Sequence, residues 1–309
     1  MIISASRRCD LPAIYPKWLT KRFEEQYVLV RNPYSYHDVS RVDLSPSSVD
    51  AIVFWTKNPR PFIPCLSAFD RYAYCFQYTL TGYPASIEPG VPPLEERIES
   101  FRDLSLLCGP VRVVWRYDPI LMTDDLSVGY HKRMFAKLCT ALEGYADVCM
   151  ISFFDMYRHL ERVRKRLGIR EPTVGECLDL AQSFSDIAKR RGFSVRTCAE
   201  SADLSRFGIE HGACIDSGLL ARISGKIFQR KKDTCQRNCC GCLPSVDIGT
   251  YGTCPYNCSY CYANARTVTK IHDVDSPLQI GRLDDRDIVH MRKNMSMTVS
   301  YQFPELPQR

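Results

Sequence analysis

Val148-Cys-Met-Ile-Ser-Phe153, the helical stretch Thr173 to Arg191, and Ser194-Val-Arg-Thr-Cys198 follow one another along the chain, and their reading decides the fold. The first is an unbroken apolar run, which suits a strand buried on both faces rather than one that alternates with water. In the second, Thr173 and Glu176 form a capping box, and Val174, Cys177, Leu178, Ala181, Phe184 and Ala188 fall on one stripe before Gly192 stops the helix. Strand, helix and strand in that order make a parallel crossover.

Working outward, further apolar, β-rich runs lie at Ile2 to Ser6, Tyr27 to Arg31, Ala51 to Thr56, Tyr74 to Thr79, Val111 to Tyr117 and Ser245 to Ile248, which brings the strands to eight. Helical patterns run near Glu95 to Leu107, Tyr130 to Leu142 and Ser217 to Phe228. Eight strands alternating with helices over about 250 residues predict an α/β fold of the TIM type, a (β/α) barrel that is complete or partly open. The expected organisation is a barrel body over residues 1–230, a cysteine-rich segment over 231–270 that includes the last strand, and a tail over 271–309 packed on the barrel.

The chain has 309 residues, 45% of them apolar and 25% charged, which excludes a disordered tail, a collagen-like fibre and a disulfide-stapled mini-protein. No run approaches the roughly 20 apolar residues of a membrane span, and the first residues lack the order of a secretory signal, so a cytoplasmic location is expected. A net charge of +6 with both signs interleaved does not indicate nucleic acid. The one basic run, Arg158 to Arg166, reads as an amphipathic helix with a solvated face.

In such a fold chemistry belongs at the carboxyl ends of the strands. Polar residues follow nearly every strand there: Arg7, Arg8 and Asp10; Lys57 and Asn58; Arg116 and Asp118; Asp155; Glu200. Trp55, Trp115 and Tyr78 stand beside them as candidates to stack on a planar ligand, with core packing as the plainer role. His131, His159, His272 and His290 show no metal-ligand spacing, so histidine-based nucleophilic catalysis is not expected.

Sixteen cysteines in a chain without an export signal point to metal or cluster ligation rather than disulfides. Nine are scattered over the first 214 residues, and seven crowd between Cys235 and Cys261. The sharpest pattern is Cys254-Pro-Tyr-Asn-Cys258-Ser-Tyr-Cys261, in which three thiolates on one loop can cover three corners of an inorganic centre and leave a fourth open. A structural zinc site would instead close with four ligands. Cys198, Cys214, Cys240 and Cys242 form a candidate second centre near the strand ends, either a further 4Fe-4S cluster or zinc, with Cys235 and Cys239 competing for membership.

The three-two spacing with Tyr260 before the third cysteine resembles the radical S-adenosylmethionine (SAM) superfamily, and Cys261-Tyr-Ala-Asn264 is similar to the spore photoproduct lyase type of motif. Ser6-Arg-Arg-Cys-Asp-Leu-Pro12, Trp55-Thr-Lys-Asn-Pro59, Trp115-Arg-Tyr-Asp-Pro119, Thr197-Cys-Ala-Glu200, His211 to Asp216 and Cys240-Gly-Cys242 together make nearly the whole chain resemble an uncharacterised bacterial family, the domain of unknown function DUF1848. The radical SAM resemblance implies a 4Fe-4S cluster on Cys254, Cys258 and Cys261 whose open iron is chelated by SAM, and an electron donor such as flavodoxin or ferredoxin. It also implies reductive cleavage of SAM to start radical chemistry on a small, anionic substrate. The superfamily puts its cysteine loop after the first strand and has a glycine-rich motif that is missing here, so the resemblance requires a circularly permuted barrel. On that reading Arg7, Arg8, Asp10 and Tyr260 meet the cofactor, and Lys57, Arg116, Asp118 and Glu200 hold the substrate. Tyr117 or Cys9 would return a hydrogen atom. The alternative from another class is a non-catalytic iron-sulfur or zinc module that binds a partner or nucleic acid.

Overall fold

The computed structural model describes residues 1–155, 160–264 and 271–299. In chain order the elements are β1 (Ile2–Ala5), α1 (Leu11–Ile14), α2 (Pro16–Glu24), β2 (Tyr27–Asn32), β3 (Ser35–Asp43), β4 (Ala51–Thr56), β5 (Tyr74–Thr79), α3 (Leu94–Cys108), β6 (Val113–Ile120), α4 (Val128–Leu142), β7 (Val148–Phe153), α5 (Glu161–Leu167), α6 (Val174–Lys189), β8 (Ser194–Thr197), β9 (Glu210–His211), α7 (Ser217–Ser224), β10 (Ile227–Phe228), β11 (Val246–Asp247), β12 (Ile288–Met291) and β13 (Thr298–Val299).

Eight strands form one parallel sheet in the order β11-β1-β4-β5-β6-β7-β8-β9. Seven of them answer to sequence-predicted strands, and the last predicted strand sits beside the first, with Ile3 opposite Val246. The sheet does not close among the described residues: β9 and β11 are its two edges, each two residues long, too short to carry a ladder across the gap. The architecture is therefore α/β, with a parallel sheet that is open among the described residues.

Tyr27 to Arg31 was expected in the main sheet, but β2 belongs to a separate three-stranded sheet in the order β12-β3-β2. A two-residue turn at Pro33 and Tyr34 folds β2 directly back on β3, so its partner is antiparallel, whereas a parallel partner needs a long crossover. The C-terminal stretch lies against this part of the molecule: the indole N–H of Trp18 donates to the Ser276 carbonyl at 2.9 Å, and Ile288 pairs with Asp38. The basic helix begins at Glu161, which pairs with Lys165 at 3.1 Å, whereas Arg158 and His159 lie outside the described residues. No helix among the described residues is long and apolar enough to cross a membrane.

Strand alternation divides the sheet chemically. On one face Ile3, Phe54, Phe76, Trp115, Tyr117 and Ile151 join the helices in the main core. There Phe184 of α6 stacks on Phe135 of α4 with ring centroids 3.9 Å apart, and Phe135 stacks on Trp115 at 5.0 Å. Each such ring stabilises the fold by about 1.5–3 kcal/mol through burial. On the other face Ile2, Val53, Cys75, Val114 and Met150 pack with Cys198, Cys214, Cys240 and Cys242.

Candidate metal centres

The second face carries the tightest cysteine group. Cys198 follows β8, Cys214 lies between β9 and α7, and Cys240 and Cys242 precede β11. The sulfurs of Cys198, Cys240 and Cys242 all lie within 4.8 Å of one another, and the Cys214 thiol is hydrogen-bonded to those of Cys198 and Cys242. All four residues are buried. The backbone holds them there: Leu243 N–H donates to the Ile215 carbonyl at 3.0 Å, and Asp233 N–H to the Cys242 carbonyl at 2.9 Å. Cys235 and Cys239 are exposed, and the Cys239 thiol donates to the Ala199 carbonyl at 3.0 Å, so neither belongs to the group.

The donor set fits a metal. A tetrahedral ion with zinc-sulfur bonds of about 2.3 Å sets its sulfurs about 3.8 Å apart, a spacing that falls inside the 4.8 Å enclosing the Cys198, Cys240 and Cys242 sulfurs. The surroundings favour thiolate. Ile215 N–H donates to the Cys242 sulfur at 3.4 Å, and Arg116 Nη1 donates to the Cys214 sulfur at 2.5 Å. Hydrogen bonds from Cys198, Cys214 and Cys240 drive the Cys242 thiol far below its ordinary range, while Cys198, the partner that keeps its proton, is driven far up. Metal binding replaces such shared protons. Arg7 and Arg116 flank Trp55, each guanidinium 5.1 Å from its ring centroid. Burial opposes the Arg7 charge, but the thiolates of Cys242 and Cys214, with Asp247, outweigh it and raise its pKa.

The loop from Cys254 to Cys261 docks at the neighbouring strand ends. Ser259 N–H donates to the Ile87 carbonyl at 2.8 Å, Gly90 N–H to the Tyr256 carbonyl at 3.1 Å, and the Tyr262 hydroxyl to the Arg7 carbonyl at 2.9 Å. At Gly90 a Cβ would stand 2.8 Å from the Pro255 oxygen and from Tyr256 Cα, so only glycine lets the loop approach this closely. The three thiols are not all within 4.8 Å of one another, so they do not form a single-ion site as they stand. A cluster whose irons occupy separate corners holds its thiolates wider apart than one ion does. The Cys9 thiol donates to Cys254, and with N–H groups of Asp10 and Tyr256 this lowers the Cys254 thiol to about 6. Cys258 is buried, and burial pushes its thiol up.

Beneath the loop lies a buried charge network that the sequence did not reveal. Glu88 accepts from Lys57 Nζ at 2.8 Å, from Thr81 Oγ1 at 2.9 Å and from the Tyr260 hydroxyl, and it faces Arg97 Nη1 at 3.5 Å. Burial opposes ionisation, but Lys57 and Arg97 hold its carboxyl below the ordinary range. Tyr260 and Lys57 are thus engaged with Glu88 rather than open to a ligand. Asp10 caps α1 through Ala13 N–H at 3.0 Å and accepts from Lys57 N–H at 2.6 Å, and burial with the nearby Cys254 pushes its carboxyl up to about 7. Arg8 is tied to Asp247 at 3.8 Å and to the Gly249 carbonyl at 3.2 Å, whereas Arg7 keeps a buried Nη2 without a partner. Of the two expected forks, Arg7 is the available one.

The remaining candidates divide. Asp118 pairs with Arg116 and accepts from Ser152 Oγ, on the cysteine face. Glu200 accepts from Phe153 N–H at 2.7 Å, and burial raises its carboxyl to about 7. Tyr117 lies apart, because alternation along β6 turns it to the helix side, where its hydroxyl meets His131 Nδ1 at 2.9 Å. Trp115 and Tyr78 are core residues of that same side, so neither stacks on a ligand. A further oxygen and nitrogen group, His37, Asp284 and Asp287, is already spent on an ion pair, since Arg31 takes both Asp287 oxygens at 2.5 and 2.6 Å. Glu88 and Ser152 were missed because single polar residues in loops and at strand ends leave no periodic signal.

No curated protein and no solved structure matches this chain. A family model does, over residues 2–263, a span that takes in both cysteine sets and the charged strand ends between them; the chain belongs to the family described as domain of unknown function DUF1848.

Proposed function

We propose that this protein is a metalloprotein with two cysteine centres, a closed tetrathiolate site on Cys198, Cys214, Cys240 and Cys242 and an open iron-sulfur site on Cys254, Cys258 and Cys261. The first rests on the buried sulfurs of Cys198, Cys240 and Cys242, which lie within 4.8 Å of one another, with the Cys214 thiol hydrogen-bonded to those of Cys198 and Cys242. The second rests on the loop's spacing and its resemblance to radical SAM motifs, with the open sheet read as a permuted, partly open barrel. Cys254, Cys258 and Cys261 would hold the cluster, which would supply the electron for reductive cleavage of bound SAM. The chain's own residues would do the rest: the unpartnered Arg7 Nη2 offers a donor to the SAM carboxylate, while Arg116, Asp118 and Glu200 offer polar contacts to a small substrate. Cys9, beside Cys254, is the candidate hydrogen-atom donor that replaces Tyr117.

One observation favours a second reading. Arg7 and Arg116, the latter also paired with Asp118, both face the cysteine group and offset part of the two excess negative charges that a zinc tetrathiolate would carry, as a structural zinc module would need. Anaerobic purification separates the two. The enzyme reading expects brown protein with iron and acid-labile sulfide that releases 5'-deoxyadenosine from SAM when reduced; colourless protein with zinc alone and no cleavage overturns it.

A further inference from the structure

A cavity of about 220 Å³ opens on the cysteine face at the opposite, amino-terminal end of the strands. Its walls are largely apolar, from Val114, Val148, Met150 and Leu219. Its polar groups are unevenly used. At the rim Arg222 pairs with Asp147 at 3.5 Å, and both are well exposed. Inside, Gln77 is 1% exposed; its Nε2 donates to the Cys214 carbonyl at 2.7 Å, which fixes the amide orientation and leaves Oε1 buried without a partner. Asp216 caps α7 through one oxygen, accepting from Leu219 N–H at 2.7 Å, and its other oxygen has no partner among the described residues. Arg196 makes no ion pair or side-chain hydrogen bond among the described residues.

We infer that this cavity binds a small zwitterionic amino acid with an apolar side chain, its ammonium at Gln77 Oε1 and Asp216, its carboxylate at Arg196. The charges select the class. Two arginines and two aspartates leave the lining neutral, so a bare anion or cation would unbalance it, whereas a zwitterion answers both idle ends at once. The apolar walls take the side chain. This site is independent of the metal reading and needs no cluster.

Titration calorimetry on the full chain tests it with L-leucine, 4-methylpentanoate, which lacks the ammonium, and 3-methylbutylamine, which lacks the carboxylate. Leucine should bind one to one, and each truncated probe at least tenfold more weakly. Arg196→Gln and Asp216→Asn, the latter keeping the helix cap, should each weaken leucine at least tenfold with the unfolding midpoint preserved. Leu219→Trp, which fills the space without touching a polar group, should abolish binding. No saturable leucine heat, equal affinity for all three probes, or unchanged leucine affinity in Arg196→Gln overturns the inference.

Discussion

Replacing Gly90 by alanine should lift the cysteine loop off the strand ends and leave the tetrathiolate group in place. The added Cβ would stand 2.8 Å from both the Pro255 oxygen and Tyr256 Cα and 3.1 Å from the Tyr256 oxygen, all backbone atoms that cannot rotate away. Ordinary contact begins near 3.4 Å, so the loop must retreat by about 0.6 Å, which stretches the 3.1 Å Gly90-to-Tyr256 hydrogen bond past useful length. Overpacking costs about 1–3 kcal/mol and the lost bond about 1 kcal/mol, so about 2–4 kcal/mol is expected in total. Hydrogen exchange at Ser259 N–H, bonded to the Ile87 carbonyl at 2.8 Å, reports the docking directly, and urea unfolding gives the global cost. Gly175→Ala in α6, where a Cβ meets nothing within 4 Å, is the control and should be neutral or slightly stabilising. If Gly90→Ala leaves Ser259 protection and the urea midpoint where they were, the loop is not held by this contact and the reasoning fails.

Three further outcomes follow from the buried polar groups. His131 is fully buried, and burial lowers its pKa from 6.5 to about 4, so below pH 6.5 the unfolded chain takes up a proton that the folded chain refuses; about 3 kcal/mol of stability should disappear between pH 6.5 and 4, and His131→Asn should flatten that part of the urea midpoint profile. Glu88→Gln strands the buried Lys57 and Arg97 charges and should cost about 3–5 kcal/mol in urea unfolding; a loss under 1 kcal/mol would show that the network carries little. Tyr117→Phe leaves His131 Nδ1 without a donor and should cost about 1–3 kcal/mol while metal content and any SAM cleavage stay unchanged, whereas lost cleavage in a stably folded variant would return Tyr117 to the site.

What the sequence made legible was what repeats. Apolar runs and the capped stripe of α6 located seven strands of the parallel sheet and its main helices, because burial on both faces leaves a periodic mark. Tyr27 to Asn32 carries the same mark, and only its tight return into β3 removes it from the sheet. Closure was not legible, since it depends on ladder length at β9 and β11, two residues each. Cys198, Cys214, Cys240 and Cys242 come together as their positions near the strand ends suggested, two of them following a strand and two preceding one, and their proximity needed no motif. Tyr117 shows the opposite failure: proximity in sequence to Arg116 is not proximity in space, because neighbours on a strand point to opposite faces.

The central claim is that four sulfurs from three separate segments hold one metal ion. X-ray absorption at the metal edge of anaerobically purified protein tests it most directly. The account predicts a single ion with four sulfur neighbours at about 2.3 Å, lost on Cys242→Ser and retained on Cys254→Ser. A mononuclear four-sulfur ion, distinct from the iron cluster proposed on the Cys254 loop, that survives Cys242→Ser and disappears with Cys254→Ser would contradict it.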